Sequence, residues 1–138
     1  MIKPDIIKKH IEGIYENLTI LDKARSMPFV QFKADKAIMK ATEHCLQLSI
    51  QSLLDISHYI IANNNLPRPN DNREAILTLG NHGIIPDDFA QKIAPLANLR
   101  NLLIHEYLDI DLARIYEHIQ DLEDFRKFSQ YILKYLEK

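Results

Sequence analysis

The chain has 138 residues, a length that fits one domain with a substantial buried core. Apolar residues make up 46% and charged residues 26%, with only three glycines and six prolines, which excludes collagen-like and disordered chains. The formal net charge is −2, so the surface as a whole does not attract a polyanion. Contact with nucleic acid would therefore require a local cationic cluster.

The single cysteine, Cys45, cannot form an intrachain disulfide, and the stretch from Met1 to Asp5 lacks the basic start and apolar core of a secretory signal. No apolar run approaches the roughly 18 residues of a membrane span. We therefore expect a soluble, cytoplasmic protein that does not enter a membrane.

The first predicted element is an amphipathic helix from Asp5 to about Arg25. Its apolar residues recur at three- and four-residue steps and so share one face: Ile7, Ile11, Ile14, Leu18 and Leu21. Met27-Pro28 interrupts it, because the residue before a proline is disfavoured in helical conformation. A short turn and a second helix are expected to follow.

Apolar residues recur at helical spacing between about Ala34 and Asn63, which predicts that the second helix covers this segment. Besides its apolar face, it has a polar line on a neighbouring face, Gln47, Gln51, Asp55 and His58, at steps of four, four and three residues. Two interpretations remain open. The line is either a solvated stripe or a polar seam that is buried or faces another subunit.

Turn-forming residues fill the segment 63–71, which predicts a loop. A helix is then expected from Asn72 to about residues 80–83. Another begins at Pro86 and runs to about Leu108, with a possible kink at Pro95, and the last extends from an N-cap at Asp111 almost to the end of the chain. Alternation typical of strands is absent. The sequence predicts an all-α fold, an antiparallel bundle of four to six helices forming one domain over residues 1–138.

Several kinds of site are unsupported by the sequence. The six histidines contain no pair at the spacing of helical metal ligands, and one cysteine cannot complete a zinc site. There is no glycine-rich phosphate loop and no nucleophile elbow. We therefore predict neither a metal nor a cofactor.

One segment, 99–107, places a guanidinium, an amide, an imidazole and a phenol within about two helical turns. Arg100 suits a phosphodiester because its planar fork binds phosphate and stabilises added negative charge. His105 has a side chain that transfers protons near neutral pH. A base that deprotonates a ribose 2′-hydroxyl makes RNA its own nucleophile, without a metal.

Helical geometry limits this interpretation. At about 100° per residue, Arg100 and His105 diverge by about 140°, so a straight helix does not direct both at one atom. The long arginine side chain, a local irregularity or a second copy across a two-fold axis would bring them together. The last possibility predicts a homodimer with a site at its interface. An arginine and a histidine on one helix are, however, more often capping, ion-paired or solvated, so spacing alone does not establish an enzyme.

At these residues the sequence resembles a known family. Arg100-Asn101-Leu102-Leu103-Ile104-His105-Glu106-Tyr107 matches the motif of HEPN domains, an arginine followed by a histidine after four to six residues, and a tyrosine two residues after the histidine is typical of HepT-like toxins. The segment 47–61 resembles the family's second helix. The proline-rich loop, the turn at 83–85 and the start of the last helix at 109–111 occur in the family's order.

The resemblance implies an all-helical, dimeric, metal-independent endoribonuclease that leaves cyclic phosphate ends on tRNA or mRNA. It implies a toxin of a type VII system, paired with MntA, a minimal nucleotidyltransferase antitoxin. Arg100 would hold and stabilise the scissile phosphate, His105 would act as acid or base, and Asn101 would orient the site. Tyr107 would be the residue that the antitoxin AMPylates.

Two alternatives need the same bundle but no RNA cleavage. The chain could be a non-catalytic helical accessory subunit that binds a minimal nucleotidyltransferase. It could also be a structural helix bundle without an active site, because a fold alone does not determine function.

Overall fold

A computed structural model of the protein describes residues 1–105, except for the side chain of His105, and residues 111–138. These ranges contain eight helices and no strand, which confirms the prediction of an all-α fold. The helices are α1 (Pro4–Ser26), α2 (Phe29–Ala34), α3 (Lys36–Asn63), α4 (Asn72–Asn81), α5 (Asp87–Ile93), α6 (Leu96–His105), α7 (Leu112–Gln120) and α8 (Glu123–Leu136).

Helix α3 is the central element of the bundle, in contact with α1, α2, α4, α6 and α8. The apolar stripe predicted for α1 is buried along its whole length. The apolar face predicted for α3 is also buried, including Ile50, Leu53 and Leu54, which are fully inaccessible to solvent. The two longest helices therefore form where the periodicity predicts them, because burial of a continuous apolar face stabilises each one.

The predicted turn before α3 contains the short helix α2. Helix α2 ends at Ala34. The next residue, Asp35, has an extended backbone and is the N-cap of α3, where its side chain accepts a hydrogen bond from the Ile38 amide at 3.1 Å. An aspartate at this position satisfies one of the free amides at the start of a helix. The start of α3 therefore lies two residues later than predicted.

The helix predicted from Pro86 to about Leu108 is two helices, α5 and α6, divided at Ala94-Pro95. Pro95 has no N–H to continue α5, and its carbonyl oxygen accepts from the amides of Asn98 and Leu99, at 3.0 and 3.2 Å. The proline thus belongs to the first turn of a new helix, for which its fixed φ is suited. Residues 106–110, where the predicted end falls, lie outside the described residues.

The last predicted helix is also divided, into α7 and α8, although no proline or glycine marks the break. Asp121 has an extended backbone with φ −126° and ψ 102°, and its side chain accepts from the Glu123 amide at 3.0 Å. These two interruptions raise the number of helices above the predicted four to six.

Ion pairs and aromatic contacts connect the C-terminal helices to the rest of the bundle. Arg126 of α8 contacts Asp22 of α1 at 2.7 Å, and Lys92 of α5 contacts Asp124 of α8 at 3.0 Å. The ring of Tyr116 on α7 packs against Phe32 of α2 with centroids 5.3 Å apart. None of the helices in the described ranges is long and apolar enough to cross a membrane.

Candidate functional site

Arg100 lies on α6 where this helix contacts α3. The side chain is half-buried, and its Nε donates a hydrogen bond to Oε1 of Gln51 at 2.9 Å. Its Nη1 donates to Oδ1 of the adjacent Asn101 at 3.2 Å. Both acceptors that the described residues offer to this guanidinium are neutral amide oxygens.

Gln51 is itself held by Asp55, one turn further along α3. Its Nε2 donates to Oδ1 of Asp55 at 2.8 Å. An ionised carboxylate only accepts hydrogen bonds, so it fixes which end of the amide faces it. The carbonyl oxygen of Gln51 is thereby directed toward Arg100.

The polar line on α3 now has a structural explanation. Gln47, Gln51 and Asp55 are half-buried, and Gln51 connects this line to α6 through Arg100, so these three residues lie between the solvated and the buried interpretations. His58 is exposed and fits the solvated interpretation, although its Nε2 lies 2.8 Å from Oδ1 of Asn72 on α4.

A groove of about 290 Å³ lies beside this contact, on the Gln47 side. Its lining residues are Lys40, Glu43, His44 and Gln47 of α3 and Leu103 and Ile104 of α6. Burial raises the pKa of Glu43, an effect that Lys40 opposes electrostatically. The groove therefore contains both charged and amide groups within about three turns of Gln51 along α3.

A second groove separates α6 from α7. Asn98, Leu102, Arg114 and His118 line it, together with Pro95 and Leu99. Burial lowers the pKa of His118, and the neighbouring Arg114 lowers it further, whereas Glu117 opposes the shift. Asn98 and Arg100 are about 160° apart around the helix axis, so this groove is not on the Arg100 side of α6.

The other predicted site residues are placed as follows. Asn101 is exposed and contacts Arg100. His105 is the last residue of α6, so it shares a helix with Arg100, but its side chain lies outside the described residues, as does the whole of Tyr107. In the described part of the chain, no group of three or more histidine, cysteine, aspartate or glutamate side chains could hold a metal ion.

Gln51 and Asp55 were not predicted as site residues. Their only signal in the sequence is the polar line, which does not identify the helix that it faces. The contact joins residues 49 positions apart, and periodicity within one helix cannot locate such a partner.

Comparison with known proteins identifies the family of the chain. The family model described as "Ribonuclease HepT-like" matches residues 7–132, nearly the whole chain. The chain belongs to the HepT-like ribonuclease family. A HepT relative from Aphanizomenon flos-aquae (strain 2012/KM1/D3), named tRNA nuclease HepT, is 32% identical over 136 residues, which cover 98% of this chain and 92% of the relative.

Solved structures of similar proteins show the same fold. A crystal structure described as a toxin–antitoxin with AMP-PNP superposes with a TM-score of 0.86 at 24% identity, over 94% of this chain and 98% of the other. A tri-AMPylated Shewanella oneidensis HEPN toxin in complex with MNT antitoxin gives a TM-score of 0.85, with the same identity and the same coverage of both chains. The HepT-like family and its all-α fold are thus established for this chain.

Proposed function

We propose that this HepT-like protein is a metal-independent endoribonuclease toxin. The observation that carries the proposal is the environment of Arg100, whose guanidinium is held by two neutral amide oxygens and by no carboxylate in the described part of the chain. Its family membership and its 32% identity to a tRNA nuclease support RNA as the substrate, with tRNA or mRNA as candidates.

In the proposed reaction a base removes the proton of a ribose 2′-hydroxyl, and O2′ attacks the adjacent phosphorus. The P–O2′ bond forms and the P–O5′ bond breaks, which leaves a 2′,3′-cyclic phosphate and a 5′-hydroxyl after the departing O5′ takes up a proton. His105 acts as acid or base in this sequence. Arg100 holds the phosphate and stabilises the charge that develops on its oxygens, and Asn101 supports the guanidinium.

We also propose that the protein acts as a homodimer. A helix that contains both Arg100 and His105 directs them about 140° apart. A two-fold axis near α6 would place the arginine of one subunit beside the histidine of its partner. Each dimer would then contain composite sites.

The proposed partner is a cognate MntA-like minimal nucleotidyltransferase, in a type VII toxin–antitoxin system. The toxin–antitoxin complexes that share the fold, one of them with a tri-AMPylated toxin, support this assignment. The antitoxin would transfer AMP to the hydroxyl of Tyr107. AMP attached to this hydroxyl would occupy the place of the substrate phosphate at Arg100.

His105→Ala is the first test of the nuclease. Wild-type protein is expected to inhibit growth and to convert RNA into fragments with cyclic phosphate ends, and the variant should lose both effects by at least about 10²-fold, the range for loss of a general acid or base. His82→Ala is the matched control, because His82 is an exposed histidine at the end of α4. Mass spectrometry of the fragment ends provides the measurement.

The same variant separates the nuclease from the accessory-subunit alternative. If the chain is an accessory subunit, the wild-type protein would not cleave RNA. Substitutions on its surface would then abolish only its complex with the nucleotidyltransferase. Intact RNA after incubation with wild-type protein, together with unchanged growth of cells that express it, would contradict the proposed enzyme.

Tyr107→Phe tests the proposed control by the antitoxin. The variant retains the ring and lacks the acceptor oxygen, so we expect most of the RNA cleavage to remain and silencing by the nucleotidyltransferase to be lost. Tyr15→Phe is the control, since Tyr15 is 39% exposed and lies on α1. Intact-mass measurements after coexpression should show AMP on wild type and on the control alone. AMP on Tyr107→Phe would place the modification elsewhere, and suppressed toxicity without any adduct would favour silencing by binding.

A further inference from the structure

We propose that Gln51, oriented by Asp55, is a positioning residue that fixes the Arg100 guanidinium through a neutral contact and so leaves its charge for a phosphate. The inference rests on the proposed ribonuclease function and adds to it two residues outside the Arg100–Tyr107 motif.

The orientation of the Gln51 amide follows from its two contacts. Asp55 accepts from Nε2 at 2.8 Å, and Oε1 accepts from Nε of Arg100 at 2.9 Å. Reversal of the amide would place Oε1 against a carboxylate and an NH₂ group against a guanidinium, so both hydrogen bonds would be lost. Asp55 thus acts on Arg100 through Gln51, without contacting it directly in the described hydrogen bonds.

The contact also determines which part of the guanidinium is engaged. Gln51 uses the Nε side, and Asn101 takes one donor from Nη1. The remaining N–H groups of Nη1 and Nη2 form the edge that binds phosphate with two parallel hydrogen bonds. An arginine held at Nε loses less conformational entropy when it binds a phosphate, because its side chain is already placed.

Arg126 of the same protein shows the contrasting arrangement. Its Nη2 contacts Asp22 at 2.7 Å and its Nη1 contacts Glu123 at 3.0 Å, so two carboxylates engage the phosphate-binding edge of this guanidinium. Arg126 connects α8 to α1. Arg100, in contrast, is held by amides on the Nε side and Nη1, an arrangement suited to binding an anion.

Gln51→Glu tests the neutrality of the contact, with Gln47→Glu as its control. Both variants add one negative charge to the same face of α3, one turn apart, but of the two side chains Gln51 is the one with a described hydrogen bond to Arg100. Direct pairing with a carboxylate should reduce kcat/KM for RNA by about ten- to a hundredfold, the effect of one hydrogen bond to a charged group, and Gln47→Glu should cause a smaller loss. The deficit at position 51 should shrink as the pH falls and the new carboxylate is protonated, a change that a structural role would not produce.

Gln51→Leu and Asp55→Asn test the positioning itself, with a readout that does not require cleavage. In ¹⁵N-labelled wild type, the Nε–H proton of Arg100 should exchange with water at least about tenfold more slowly than that of the exposed Arg73, because it is hydrogen-bonded. Gln51→Leu should abolish this protection, and Asp55→Asn should reduce it, because an asparagine no longer fixes the orientation of the amide.

The outcomes separate this inference from the proposed function. Wild type without RNA cleavage but with a protected Arg100 Nε–H would refute the nuclease and leave the contact intact. RNA cleavage with an unprotected Arg100 Nε–H, or equal losses for Gln51→Glu and Gln47→Glu, would overturn the role of Gln51.

Discussion

Arg100→Ala is expected to reduce kcat/KM for RNA cleavage by at least about 10²-fold, the effect of removing a preorganised donor from developing negative charge. Arg100→Lys should retain part of the activity, because the ammonium keeps the charge but cannot form the fork that binds two phosphate oxygens. The control is Arg73→Ala, which removes an exposed arginine from α4 and the same amount of charge. Initial rates over a range of RNA concentrations provide the measurement.

The loss should be catalytic and not a loss of folding. Arg100 is half-buried, its partner Gln51 is half-buried and Asn101 is exposed, whereas the core consists of apolar residues such as Leu53 and Leu103. Helical circular dichroism and the melting temperature of Arg100→Ala should therefore stay close to those of wild type. Equal activity losses for Arg100→Ala and Arg73→Ala would indicate a general effect of charge and would argue against a specific phosphate site.

Mixing two inactive variants tests whether the site is composite. If the arginine of one subunit works with the histidine of the other, a dimer of one Arg100→Ala and one His105→Ala chain contains one intact pair and one doubly altered pair. Mixtures that exchange subunits should then regain activity, up to about half of the wild-type value per heterodimer. Failure to regain activity in verified heterodimers would place both residues of each site on the same chain.

The fold was predictable where apolar periodicity is long and continuous. Helix α1 was predicted within one residue at each end because its buried residues recur without interruption. The break at Asp121 escaped prediction because the apolar spacing continues through Leu122, which is buried, while the backbone turns. Periodicity reports which side chains are buried and does not detect one extended residue between two helices.

The site was predictable only in part, for a related reason. The motif from Arg100 onward is local and can be read from one segment, whereas its partner Gln51 lies on another helix. The four-residue spacing of Gln51 and Asp55 does predict their mutual contact, since residues four apart are neighbours on a helix. Only the packing of α6 on α3 identifies the side chain that this pair holds.

Gly80→Ala is expected to destabilise the fold by about 1–3 kcal/mol, the usual cost of overpacking a core. A methyl group at residue 80 would lie 2.6 Å from Cβ of Ala90 and 3.2 Å from Cα of Asp87, so α4 and α5 would have to move apart. Alanine is otherwise the better helix former by about 1 kcal/mol, so a net loss would reveal the close approach of the two helices. Urea unfolding followed by circular dichroism measures the free energy.

Ala90→Gly provides the test of the cause, because it removes the atom that the new methyl group meets. Ala90 is fully buried, so this variant alone should cost about 1 kcal/mol through lost helix propensity and a small void. In the double variant the methyl group at residue 80 occupies the space that the Ala90 methyl group vacates. We therefore expect its loss in the free energy of unfolding to be smaller than the sum of the two single losses, by at least about 1 kcal/mol. Simple additivity would show that the contact with Asp87, and not Ala90, limits residue 80. Because this contact lies between α4 and α5 and includes neither Arg100 nor its hydrogen-bond partners Gln51 and Asn101, the folded fraction of each variant should cleave RNA at the wild-type rate.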